Sequence, residues 1–178
     1  MSRILAIDPG PLESAYVWAA TGTDYCLPPG APPLLGFEKL SNERLLPMLR
    51  ELSIGPRCET EGLTVVIERV ESFGMAVGES VFETVRWSGR FEEAAAVMQI
   101  SVEYVPRREV KLALCGTSQA KDANVRQALI DRYGGVGGRA AAVGLKKTPG
   151  PLYGVAADVW SALAVAVTYL DRRALPSP

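Results

Sequence analysis

Asp8, Glu68 and Asp158 stand out among the residues able to do chemistry in this 178-residue chain. Asp8 ends the apolar run RILAI (3–7), Glu68 ends LTVVI (63–67), and Asp158 lies near the start of an apolar helical stretch, roughly Val155 to Asp171. A carboxylate at a strand end commonly caps a helix or a turn, and each acid taken alone reads that way. In an open α/β sheet, however, the carboxyl ends of parallel strands form the ligand-binding edge. If the first and fourth strands are parallel neighbours, Asp8 and Glu68 converge there, and a helix crossing that edge adds Asp158. Three clustered acids repel one another and are stable chiefly when a cation neutralises them. Mg²⁺ and Mn²⁺ take oxygen ligands and keep positions open for water and phosphate. Two such ions roughly 4 Å apart can activate a water and stabilise the leaving 3′ oxygen in phosphodiester cleavage.

Composition narrows the alternatives. The chain has no histidine, which excludes Ser-His-Asp and Cys-His catalysis within it and any histidine-ligated zinc site. Cys26, Cys58 and Cys115 are widely separated and form no CxxC pair, so free thiols in a reducing compartment are expected. Asp8 interrupts the first apolar run too early for a signal-peptide core, and no apolar run approaches the roughly 20 residues of a membrane span, so the expected location is cytoplasmic, with no membrane partner. Between Pro106 and Lys147, nine basic side chains face three acidic ones, a surplus of six on a chain of net charge −1; the remainder carries −7. Such an asymmetry suits a polyanion binder and is equally compatible with solvated helix faces.

The elements that must position these residues follow from pattern. Strands are expected over Arg3–Ile7, Ala15–Ala20 (returning antiparallel after the Asp-Pro-Gly turn), Leu34–Leu40, Leu63–Ile67 and Ile100–Val105. Helices are expected over Ser41–Leu52, Glu79–Gln99 with a break near Ser88-Gly89, Arg108–Leu114, Ala120–Tyr133 and Val155–Asp171. The glycine-rich stretch from Gly134 to Pro151 reads as a mobile loop. One α/β domain over residues 1–173 with a short tail at 174–178 accounts for the whole chain: a five-stranded mixed sheet with helices on both faces.

These segments, in this order, resemble a known family. ILAIDPGPLESAYV is similar to the opening strand and turn of the RuvC-type Holliday junction resolvases of the RNase H-like superfamily, and VVIERVESF to their second acidic strand. YVPRREVKLALCG and AKDANVRQAL resemble the segment after the fifth strand, and GVAADVWSALAVAVTYL resembles the last catalytic helix. The PGPLYG and WSAL pieces are nearer to bacteriophage-encoded relatives. The resemblance implies a metal-dependent endonuclease that resolves four-way junctions by paired cuts, with Asp8, Glu68 and Asp158 as catalytic metal ligands and two Mg²⁺ or Mn²⁺ ions per site. It also implies a homodimer built with the long helix that carries Trp87 and Met98, whose two-fold symmetry matches the two strands to be cut.

The sequence departs from the family at Ser161, where relatives place a further carboxylate one turn after the position of Asp158. Residues three apart share a helix face, so Ser161 could hold a metal through water, with one charge fewer. The family's glycine-rich turn is reduced to Gly116-Thr117-Ser118, with Lys121 shifted by one position. Phe73 reads either as an aromatic stacking on the junction or as an apolar loop anchor. Lys111 and Lys121 read as phosphate contacts or exposed helix residues, and Arg107, Arg108, Lys146 and Lys147 as a DNA track or solvated charge. A non-cleaving branched-DNA binder, or a nuclease for flaps, forks or RNA–DNA hybrids, remains open alongside the resolvase; a two-lobed ATPase would need a second lobe.

Overall fold

Short apolar runs bounded by turn residues become strands here, and the order of their pairing decides which strand ends meet. The computed structural model describes residues 3–21, 27, 28, 30–52, 62–71, 74 and 76–174. Its main sheet comprises β1 (Arg3–Asp8), β2 (Glu13–Ala20), β3 (Leu34–Ser41), β4 (Leu63–Arg69) and β5 (Ser101–Pro106), in the order β3-β2-β1-β4-β5. β1 is antiparallel to β2 and parallel to β4, β2 is antiparallel to β3, and β4 is parallel to β5. Ile4–Ile7 and Leu63–Ile67 are buried throughout, because helices cover both faces; this is why they read as unbroken apolar runs rather than alternating ones.

Helices α1 (Asn42–Glu51) and α2 (Glu79–Val97) cover one face, packing Leu45, Leu49, Trp87 and Phe91 against Leu5, Ile7, Val65 and Ile67. On the other face lie α3 (Arg107–Cys115), α4 (Asp122–Gly134), the short α5 (Gly138–Ala142) and α6 (Val159–Ala174). α6 runs across β1, β2 and β4, and every residue from Ala162 to Val167 is at most 1% exposed. It is the central helix of the fold, hence apolar all round over that stretch rather than amphipathic.

Two sequence expectations are corrected, the break in α2 and the mobile loop at Gly134–Pro151. α2 is continuous through Ser88 and Gly89; a Cβ at Gly89 would meet nothing within 4 Å, so the glycine sits on an open helix face and no crowding forces a break. Trp87 is buried, tilted against Phe91 at 5.9 Å, and Met98 packs on the same core; the apolar side chains that α2 leaves exposed are Phe82, Val85 and Val97. The Gly134–Pro151 stretch is structured. A 3₁₀ turn (Gly135–Gly137) leads into α5 and a small hairpin, β6 (Gly144–Leu145) and β7 (Thr148–Pro149). Ala142 and Leu152 anchor this segment in the core. Its glycines serve close backbone approach: a Cβ on Gly150 would strike the Ala141 and Ala142 carbonyls.

The turn after Asp8 is fixed by a residue far away in sequence. Asn42, fully buried at the start of α1, donates from Nδ2 to the Gly10 carbonyl (2.9 Å) and accepts at Oδ1 from the Ser14 hydroxyl (2.6 Å). Ser14 Oγ in turn accepts from the Gly10 N–H at 3.2 Å. Gly10 itself is required, since a Cβ there would run into the Glu13 carbonyl. Replacing Asn42 by alanine leaves the buried Ser14 hydroxyl and the Gly10 carbonyl short of partners. Asn42→Ala is therefore expected to lower the unfolding free energy by about 2–3 kcal/mol, seen in urea denaturation as a lower midpoint at an unchanged m-value.

Candidate active site at the sheet edge

The parallel register brings the acids together. Ile7 lies beside Ile67, so Asp8 and Glu68, one residue on, stand side by side at the C-terminal edge of β1 and β4. Alternation sends both to the face covered by α6: Ala6 and Val66 belong to that core, while Ile7 and Ile67 belong to the opposite one. β5 ends next to them, with Pro106 level with Arg69, and the first residue of α3, Arg107, emerges at the same edge. Three neighbouring strands thus deliver an aspartate, a glutamate and an arginine to one place.

Arg107 lies on the glutamate. Its Nη1 donates to both Glu68 oxygens (3.0 and 3.1 Å) and to Ser161 Oγ (3.3 Å), and its Nη2 pairs with Asp122 at 2.9 Å. Burial works against its charge, but the Glu68 and Asp122 carboxylates outweigh burial and hold the guanidinium above its ordinary basicity. Asp8 has no ion pair among the described residues. Burial above all, then the charge of Glu68 and a hydrogen bond shared with it, push Asp8 up to about 8; Arg107 pulls it down, and Asp158 adds a smaller push upward.

Asp158 stands just before α6 rather than within it: its carbonyl accepts the N–H groups of Ser161 (2.9 Å) and Ala162 (3.1 Å). Ala157 before it has φ of 45°, a left-handed conformation that costs a non-glycine residue of order 1–3 kcal/mol. The Asp158 carboxylate is half exposed and pairs with Lys39 of β3 at 2.9 Å; Lys39 also reaches Glu13 at 3.1 Å. Both partners raise the basicity of Lys39. Asp8, Arg107, Lys111, Asp122, Asp158 and Ser161 line one cavity of about 650 Å³, together with Arg126 and Trp160.

Among the described residues no group of three carboxylate, cysteine or histidine side chains converges tightly enough to hold a metal ion; Glu68 is paired with Arg107 and Asp158 with Lys39. The donor chemistry still fits one hard divalent ion at Asp8. That carboxyl, pushed up by burial first and by Glu68 second, has no ion pair among the described residues, and a cation there would offset the charge of the pair.

The other candidates are spread more widely. Lys111 lines the cavity, 3.7 Å from Asp122. Lys121 is exposed at the start of α4, where its backbone N–H donates to Asn124 Oδ1 at 3.0 Å. Arg108 is exposed, 3.8 Å from Glu71. Lys146 and Lys147 sit exposed at the tip of the β6–β7 hairpin and do not line the cavity. Phe73, Cys26 and Cys58 lie outside the described residues; Cys115 is a free thiol. Sequence reasoning missed Lys39, Asp122, Arg126 and Trp160 as neighbours of the site. A signal for Lys39 existed: it alternates with Phe37, which packs on the α6 face.

The raised Asp8 sets a pH dependence. A carboxyl raised in the folded state holds its proton more tightly there than in the unfolded chain, where it titrates near 3.8. Its contribution to stability is therefore complete below that value and is lost as pH rises through about 8. The metal-free protein is expected to melt at progressively lower temperature over this window. Asp8→Asn should remove most of that fall, raising the melting temperature at pH 8 by on the order of 3 °C for each kcal/mol relieved.

Comparison with solved structures agrees with this architecture. Thermus thermophilus RuvC matches over 97% of this chain and 96% of its own, with 20% identity and a TM-score of 0.62. The same protein in complex with a Holliday junction substrate matches over 98% of this chain and 96% of its own, with 21% identity and a TM-score of 0.66. No family model and no curated protein sequence matches the chain. The likeness spans the whole sheet and the helices on both its faces, so the chain has the RuvC-type, RNase H-like fold.

Proposed function

We propose that the chain is a divalent-metal-dependent endonuclease that resolves Holliday junctions by paired phosphodiester cuts. The observation that carries this reading is the Asp8–Glu68 pair, two acids held side by side at the sheet edge, in a fold shared with a protein solved on a Holliday junction substrate. Asp8 would be the principal ligand of Mg²⁺ or Mn²⁺, with Glu68 and Asp158 beside it at the same edge. When bound, the ion supplies positive charge for the developing phosphorane and lowers the cost of deprotonating a water. The water oxygen bonds to phosphorus as the bond to the 3′ oxygen breaks. One water proton ends on that oxygen, giving 3′-hydroxyl and 5′-phosphate ends.

The remaining side chains bind and orient. Lys111 and Arg126 line the cavity and suit backbone phosphates, and Arg126 lies over the Trp160 ring at 4.8 Å, so its guanidinium plane is held rather than free to sweep. Arg108, Lys121, Lys146 and Lys147 extend the positive surface outward, where contacts add salt-dependent affinity. A two-fold dimer through α2 suits a substrate with two equivalent strands; the exposed Phe82 and Val85 supply apolar surface for it. No helix among the described residues is long and apolar enough to cross a membrane.

Incubating the protein with a labelled four-way junction, a flap, a linear duplex and an RNA–DNA hybrid, with and without Mg²⁺ or Mn²⁺, tests the proposal. Paired nicks in the junction are expected only with metal, reduced more than about a hundredfold in Asp8→Asn while junction binding persists. Metal-independent cutting, or undiminished cutting by Asp8→Asn, refutes the mechanism. Junction binding without cutting in either metal replaces it with a non-cleaving branched-DNA binder, a reading favoured by the neutral Ser161.

A further inference from the structure

We infer that Arg107 is a resident cation standing where a second metal ion would otherwise sit, so that each site takes a single divalent ion on its Asp8 side. This inference rests on the metal-dependent nuclease reading above and specifies how that site is built.

The guanidinium is clamped. Nη1 bridges both oxygens of Glu68 and the Ser161 hydroxyl, and Nη2 is held from the far side by Asp122. Its backbone is fixed as well, since Arg107 opens α3 immediately after Pro106 at the end of β5, one strand from Glu68. A surface arginine on a flexible stem would be swept aside by an arriving divalent ion; one tied to three elements resists displacement.

Charge placement leads to the same conclusion. Of the three candidate acids, Glu68 is paired with Arg107 and Asp158 with Lys39, whereas Asp8 has no ion pair among the described residues. A divalent ion beside Asp8 meets a carboxyl that no ion pair among the described residues already occupies. An ion on the Glu68–Ser161 side would meet a permanent positive charge, and there the helix offers only a hydroxyl. Arg107 and Ser161 form a matched pair. The neutral residue at 161 gives the guanidinium an acceptor without a charge for a second ion, and the guanidinium gives Glu68 the counter-charge a second ion would supply. Because Arg107 also lines the cavity shared by Asp8 and Asp158, the guanidinium hydrogens not engaged by Glu68, Ser161 and Asp122 can meet a non-bridging oxygen of the phosphate under attack. It is then a catalytic residue rather than a counterion alone.

Counting Mn²⁺ per chain tests this, by equilibrium dialysis with elemental analysis and by electron paramagnetic resonance, without DNA, on proteins whose folding is checked by thermal melting. Wild type and Arg107→Lys should bind one ion per chain, and the double variant Arg107→Ala, Ser161→Asp should bind two, with the spectral broadening of a coupled pair. In junction cleavage Arg107→Ala alone should lose about a hundredfold, and the double variant should recover much of that loss at raised Mn²⁺. Two ions in the wild type, one ion in the double variant, or undiminished cleavage by Arg107→Ala each overturn the inference while leaving a metal nuclease in place. No Mn²⁺ binding by any of the proteins overturns the nuclease reading along with it.

Discussion

Two carboxylates forced together by parallel strand pairing are the constraint on which the rest of this molecule turns. β1 and β4 are parallel and in register, both are buried, and each carries an acid on the same face at or next to its last residue. Neither strand can slip to relieve the repulsion, because a one-residue shift would turn Leu5 and Ile7 or their β4 counterparts into the wrong core. The fold therefore holds a charge conflict at its edge, and the surrounding features can be understood as responses to it. Arg107 arrives after the next strand to compensate Glu68, Lys39 from β3 pairs with Asp158, and Asp8, pushed up to about 8 by burial and Glu68, has no ion pair among the described residues. On the proposed reading, a hard divalent cation is what answers the remaining charge.

The supports of this arrangement are costly to the fold. Ala157 takes a left-handed conformation directly before Asp158. Asn42 spends a fully buried amide on securing the turn behind Asp8. α6, a deeply buried helix, begins at the cavity, so Ser161 is anchored to the core of the protein and Asp158 stands directly at the helix entry. Strain and buried polar groups of this kind are expected where geometry must be held against local preference.

Much of the fold was legible in the sequence because buried parallel strands leave unbroken apolar runs and turn residues punctuate them. Asp8 and Glu68 could be found for the same reason, since an acid at the end of such a run breaks a strong pattern. Arg107 could not be distinguished from its basic neighbours: an arginine at the first position of a helix looks like solvated charge until the adjacent strand is known to end in Glu68. Lys39 was hidden because only the pairing of β2 with β3 and the path of α6 bring it to Asp158. The Gly134–Pro151 stretch was misread because glycines that permit close backbone packing look the same in sequence as glycines that confer mobility. Asp158 was placed inside the helix because pattern alone locates a helix start only to within a few residues.

The central claim is that the charge conflict at the end of β1 and β4 exists to bind a metal ion, and anomalous scattering from crystals grown with Mn²⁺ tests it most directly. The account predicts one strong anomalous peak per chain, about 2.1 Å from an Asp8 carboxylate oxygen, with the Arg107 guanidinium still seated on Glu68. A site that stays empty at saturating Mn²⁺, or ions found only elsewhere on the molecule, would contradict it.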